Sequence, residues 1–116
     1  MKNLLLFSFI LLQFSSCSSP KTTAQDFLEA MNSSQFETAM NLVSEESKPI
    51  LYGLINHQTK DIPKVNIKIK GCAETGEKDT TTCVYVISNS EGEIFEKPIK
   101  LLKQNNIWKV DLTQRY

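Results

Sequence analysis

The stretch that decides the fold runs from Val65 to Leu112 and reads VNIKIKGCAETGEKDTTTCVYVISNSEGEIFEKPIKLLKQNNIWKVDL. Apolar residues recur there at alternate positions: Val65, Ile67 and Ile69; Val84 and Val86; Ile99 and Leu101; Trp108, Val110 and Leu112. A period of two marks strands with one buried face. Turn-forming stretches separate the runs, at Gly76 to Asp79, Ser90 to Gly92 and Asn105-Asn106. The pattern predicts four antiparallel strands in sequence order.

Two-residue turns at Glu77-Lys78, Glu91-Gly92 and Asn105-Asn106 give a self-consistent register. Ile69 then faces Val86, Val84 faces Ile99, and Leu101 faces Val110. One side of the sheet collects Val65, Ile67, Ile69, Val84, Val86, Phe95, Ile99, Leu101, Trp108, Val110 and Leu112. A slip by one residue would scatter this set over both sides. The same register sets Cys72 opposite Cys83, with Cα atoms within disulfide reach. It places their bond on the other side of the sheet, beside Tyr85 and Lys70.

Working back from Val65, the period changes to that of helices. Thr22 or Thr23 can cap a helix carrying Ala24, Phe27, Leu28 and Met31 on one face. Ser34, with Glu37 three residues on, is a capping box for a second helix bearing Phe36, Ala39, Met40 and Val43. Pro49 suits the first turn of a third, with Ile50, Leu51, Leu54 and Ile55 on one side. The fold class predicted is α+β, with three N-terminal helices packed on a four-stranded antiparallel meander.

The chain of 116 residues has 13 basic and 13 acidic side chains, enough for one domain and without the basic patch that nucleic acid requires. At the N-terminus Lys2 precedes an apolar run from Leu4 to Phe14, which is too short to span a bilayer. Phe14-Ser15-Ser16-Cys17 follows, then Ser18, Ser19 and Pro20. This segment resembles the signal of bacterial lipoproteins, in which the cysteine becomes the lipidated first residue. The alternative is an ordinary secretory signal with an incidental cysteine. The resemblance implies a signal peptide over 1–16, lipidation of Cys17, a tether over 17–22 and a single domain over 23–116. The anchor it implies is acylated, and two or more chains hold stably to a membrane. Loss of Lys2 would leave 12 basic and 13 acidic groups, a net charge of about −1. Taking Cys17 out of the count leaves Cys72 and Cys83 as an even pair, as an oxidising compartment favours. With no acidic run after Cys17, the expected place is the cell envelope, at the outer membrane and facing the periplasm.

Three helices, then a curved meander closing on Trp108-Lys109-Val110-Asp111-Leu112, resemble the cystatin-like, nuclear-transport-factor-2-like cone. With the lipoprotein signal, they are similar to short bacterial lipoproteins of unknown function. The resemblance spans about residues 22 to 114. That superfold hosts isomerases, dehydratases, transport factors and inert scaffolds, so it implies architecture and no activity.

Enzymes with this fold place a carboxylate, histidine or tyrosine inside the cone. The inner face expected here carries no Asp, Glu or His. Its charged candidate is Lys97, opposite Val86, with Pro98 as the mark of a bulge that would turn it outward. Tyr52, His57, Lys97 and Trp108 are the possible cavity-lining residues. His57 suits a helix C-terminus, and Trp108 suits the core. No metal-ligand spacing, phosphate-binding glycine loop or nucleophile–base pair occurs, and no cofactor is expected. The function expected is non-catalytic: binding of a protein partner or a small apolar ligand at the membrane. The rivals are an isomerase or hydratase with a site at the cone mouth near Tyr52, His57 and Lys97, and a toxin-neutralising or structural lipoprotein.

Overall fold

A computed structural model describes residues 19–57, 65–92 and 94–113. The expected signal segment and Cys17 lie outside the described residues. Helix α1 (Pro20–Asn32) is followed by α2 (Phe36–Met40), a 3-10 turn (Glu45–Ser47) and α3 (Lys48–Asn56). The strands are β1 (Asn66–Glu74), β2 (Thr80–Ser88), β3 (Ile94–Gln104) and β4 (Ile107–Asp111), in a four-stranded antiparallel sheet of order β1-β2-β3-β4.

Helix α1 starts at Pro20, within the stretch expected to be tether, because Ser19 caps it. The Ser19 hydroxyl accepts the Thr22 N–H at 3.2 Å, and Pro20 fills a first-turn position whose missing N–H costs nothing. Its far end explains why the capping box expected at Ser34 does not form. Gln35 N–H donates to Ala30 O at 2.8 Å and Ser34 N–H donates to Met31 O at 3.2 Å, the two bonds of a Schellman stop. That stop places Ser34 at φ 60°, so its backbone closes α1 and Gln35 is left at the start of α2.

Helix α1 lies across all four strands, burying Ala24, Phe27 and Leu28 against Ile69, Ile99, Leu101 and Val110. Helix α3 packs against α2 and the 3-10 turn. Of its expected face, Leu51 is buried and Ile55 partly so, while Ile50 and Leu54 are exposed. The 3-10 turn is tied to the sheet by Ser47, whose hydroxyl bonds Ser44 Oγ at 2.7 Å and accepts the Leu112 N–H at 2.8 Å.

Both sheet edges are managed. Outside β4, the chain at Leu42 to Ser44 runs alongside, with Val110 N–H donating to Leu42 O and Ser44 N–H donating to Val110 O. The β1 edge carries Lys68 and Lys70 and is broken by an irregularity between Ile69 and Gly71, devices that discourage pairing with another chain. Its start is pinned by Asn32, whose amide donates to Val65 O at 2.8 Å and accepts the Val65 N–H at 3.2 Å. Replacing Asn32 by Ala removes both bonds, and urea unfolding should show a loss of about 1–2 kcal/mol. An unchanged midpoint would show that β1 is held by packing alone.

The third turn is as expected: Asn105 and Asn106 have φ of 54° and 65°, and Leu101 faces Val110. The β2–β3 register is corrected. Its last pair is Ser88 with Ile94, so five residues, 89 to 93, connect the strands in place of two. Gly92 N–H donates to Asn89 O at 3.0 Å, Asn89 Oδ1 accepts the Glu91 N–H, and Gly92 takes φ 85°. This is a turn begun by asparagine and closed by a glycine in the left-handed region. An odd connection inverts the phase of β2 relative to β3. Ile99 therefore faces Cys83, not Val84, and Lys97 faces Tyr85, not Val86.

The irregularity in β1 inverts the phase again. Cys72 faces Cys83, as expected, but past the extra residue Lys70, Ile69 faces Tyr85 and Ile67 faces Ile87. Two shifts of one residue cancel across the sheet, so Ile67, Ile69, Ile99 and Leu101 remain on the helix side. Only β2 turns over. Val84 and Val86 lie on the outer face, and Thr81, Cys83, Tyr85 and Ile87 take the inner one. The disulfide joining Cys72 to Cys83 is therefore on the helix side, with Cys83 wholly buried. On the outer face Lys70 pairs with Glu96 at 2.6 Å.

Candidate functional site

Beyond the end row of Trp108 and Lys103, four cross-strand rows cross the inner face, and helix cover thins from the first to the last. Val110, Leu101 and Thr81 form a buried row. Next come Ile99, Cys83 and Cys72, buried except at the edge cysteine. In the third row Ile69 is buried and Tyr85 half-buried, but Lys97 is exposed. In the fourth, Ile67 and Ile87 are half-buried and Phe95 is 50% exposed. The last two rows make an apolar shelf in which Tyr85 and Lys97 are cross-strand neighbours. Opposed side chains on an antiparallel pair have Cβ atoms about 4.5–5.5 Å apart.

Lys97 reaches this position because β3 stays in register through Pro98, which pairs with Val84. The bulge expected at Pro98 does not occur. Pro98 lies where β3 has run beyond the last β4 pair, Lys100 with Asp111, so its missing N–H leaves no ladder bond unmade on that side. Among the described residues Lys97 has no carboxylate within ion-pair distance; the nearby Glu96 points to the outer face and holds Lys70.

Burial pushes the Tyr85 phenol above its ordinary pKa by desolvating the phenolate. The unfolded chain would release this proton near pH 10 and the folded chain at higher pH, so stability is intact below about pH 10 and falls above it. An ultraviolet titration of phenolate should show one tyrosine ionising after the others, and Tyr85→Phe should remove that late step. Three tyrosines ionising together near pH 10 would contradict the burial.

The other expected cavity residues do not join this shelf. Tyr52 is 60% exposed on α3. His57 closes α3, its N–H donating to Gly53 O at 3.1 Å and its Nδ1 lying 3.1 Å from that same oxygen. Trp108 sits at the opposite end of the sheet with Lys103 Nζ 5.2 Å above its ring. It lines a concavity with Glu74, Asp79 and Thr81 at the β1–β2 turn. Two others lie beside the β1 irregularity, between Lys70, Val84 and Glu96, and between α1 and α2 near Glu29 and Gln35. Tyr52, His57 and Lys97 line none of the three. One carboxylate expected outside takes the inner phase: Glu74 faces Thr81, though it is exposed. Among the described residues no group of three or more His, Cys, Asp or Glu side chains is placed to hold a metal ion, and no helix is long and apolar enough to cross a membrane.

The shelf escapes a reading of the sequence because Thr80 to Ser88 is apolar in both phases, with Cys83, Tyr85 and Ile87 in one and Val84 and Val86 in the other. The signal that discriminates is Asn89 with Gly92 three residues on, a longer turn than the two-residue reversal.

No protein-family model matches the sequence, and no curated protein matches it. Among solved structures, a Campylobacter jejuni protein described as a "putative NTF2-like transpeptidase" matches with a TM-score of 0.60 at 19% identity, covering 83% of this chain and 100% of that one. At that identity the likeness is one of fold: the chain has the α+β architecture of nuclear-transport-factor-2-like proteins, helices on a four-stranded antiparallel sheet.

Proposed function

We propose that this protein is a lipid-anchored binding module of the bacterial cell envelope, held by Cys17 and facing the periplasm, that takes a small apolar ligand on the uncovered end of its inner sheet face. The observation that carries the binding role is the shelf of Ile67, Tyr85, Ile87 and Phe95, which helix α1 leaves open. Apolar surface left open beside a helix is area that an apolar ligand can remove from water. We take α1, α2 and α3 with the curved sheet as the three-helix cone of the fold, the shelf being its mouth.

The anchoring part rests on the sequence Phe14-Ser15-Ser16-Cys17 after an apolar run, and on the disulfide, which leaves Cys17 as the odd cysteine. The non-catalytic part rests on what the candidate groups do. His57 is engaged at the end of α3, Tyr52 stands in solvent, and the two described cysteines are closed in a disulfide, so none is set up as a nucleophile with a base. The transpeptidase designation of the Campylobacter jejuni protein is accordingly not carried over.

Mass spectrometry of protein extracted from membranes tests the reading. A diacylglyceryl mass on an N-terminal Cys17, with a co-extracted apolar small molecule released on unfolding, is the expected result. An unmodified Cys17 would overturn the anchor, and a preparation with nothing bound that also fails to take up any apolar probe would overturn the binding role.

A further inference from the structure

We propose that the ligand of the shelf is a single-chain amphiphile with a carboxylate head, its tail lying along Ile67, Ile87 and Phe95 and its head held between Lys97 and Tyr85. The inference rests on the shelf reading above and adds the chemistry of the head group.

Its basis is the third row of the inner face. Tyr85 and Lys97 are directly opposed in the β2–β3 ladder, on the inner face at the boundary between buried and open sheet. Lys97 stands beside apolar side chains and has no acidic partner among the described residues. On the outer face Lys70 pairs with Glu96 and Lys100 with Glu77 at 3.4 Å, while Lys68 has no ion pair among the described residues. Among the described residues Lys97 is thus a basic side chain left open to a carboxylate, and the Tyr85 hydroxyl, on the opposed residue, is a hydrogen-bond donor. Beyond this pair, the fourth row offers Phe95, Ile87 and Ile67 without a polar atom in their side chains. A neutral apolar ligand would use the fourth row and leave the cation idle. A polar anion would use the cation and leave the shelf wet. A fatty-acid-like molecule satisfies both, since an alkyl chain gains about 0.8 kcal/mol for each buried methylene.

The test uses the full-length chain with Cys17→Ser, titrated with dodecanoate labelled with 13C at the carboxyl carbon and, separately, with dodecanol. The expected result is saturable binding of dodecanoate with a shift of the carboxyl resonance, and roughly tenfold weaker binding of dodecanol, the scale of one charge-assisted contact. Lys97→Met should weaken dodecanoate about tenfold and leave dodecanol unchanged, and the exposure of Lys97 makes that variant safe for folding. Phe95→Ser should weaken both. Equal binding of the two ligands to the parent chain would overturn the head-group assignment while the shelf stands. Binding of neither would remove the shelf reading with it.

Discussion

Leu101→Ala should lower the unfolding free energy by about 3–4 kcal/mol, read as a shift of the urea midpoint at unchanged slope. Leu101 is fully buried at the centre of the sheet, between Thr81 and Val110, with Ile99 on the same face and α1 above. Truncation removes three carbons' worth of burial and leaves a cavity that strands on both sides prevent from closing. Against the 5–15 kcal/mol typical of a domain, that is a large share. Leu101→Met, which keeps the volume, should cost less than about 1.5 kcal/mol. The informative contrast is Val84→Ala. Val84 points to the outer face, so its truncation should cost less than about 1 kcal/mol, whereas the two-residue turn between β2 and β3 would have made it a core residue and given a loss nearer that of a buried valine.

Replacing both Cys72 and Cys83 by Ala should cost about 3 kcal/mol, the second large effect. The bond closes a loop with a sequence separation of 11, and the cross-link restricts the unfolded chain. To this is added the burial of Cys83, which packs in the core among Leu101 and Ile99, so Ala there leaves a small void. Reduction of the parent chain by dithiothreitol should reproduce most of the loss without the void. If reduction leaves the urea midpoint where it was, the bond does not restrain the ensemble from which folding starts.

The α+β class, the four strands in sequence order, the asparagine turn at 105–106 and the pairing of Cys72 with Cys83 are all written in local patterns. Alternation of apolar residues reports that a strand exists, and Asn-Asn reports a turn that needs positive φ. Which face β2 turns inward is not local. It depends on whether residues 89 to 93 close in an odd or an even number, and on one extra residue at Lys70. Either change alone would have exposed the predicted core and announced itself. Together they cancel in β1 and β3 and conceal the inversion of β2 between them. The candidate site fared worse for the same reason. Lys97 is legible in the sequence as a charged residue of the inner face, but the two-residue turn puts its neighbour Tyr85 on the opposite side and hides the pair. Tyr52 and His57 stand at the end of the helical half, a place that fixes their proximity to the sheet along the chain and not their convergence in space. Ser34 failed as a cap because its backbone is committed to ending α1, a Schellman stop that contains no glycine to flag it.

Intermolecular nuclear Overhauser contacts between the full-length Cys17→Ser chain and dodecanol test most directly whether the uncovered end of the inner face is the binding surface. The account predicts contacts from the alkyl chain to Ile67, Ile87 and Phe95; contacts to Val84, Val86 and Pro98 in their place would contradict it.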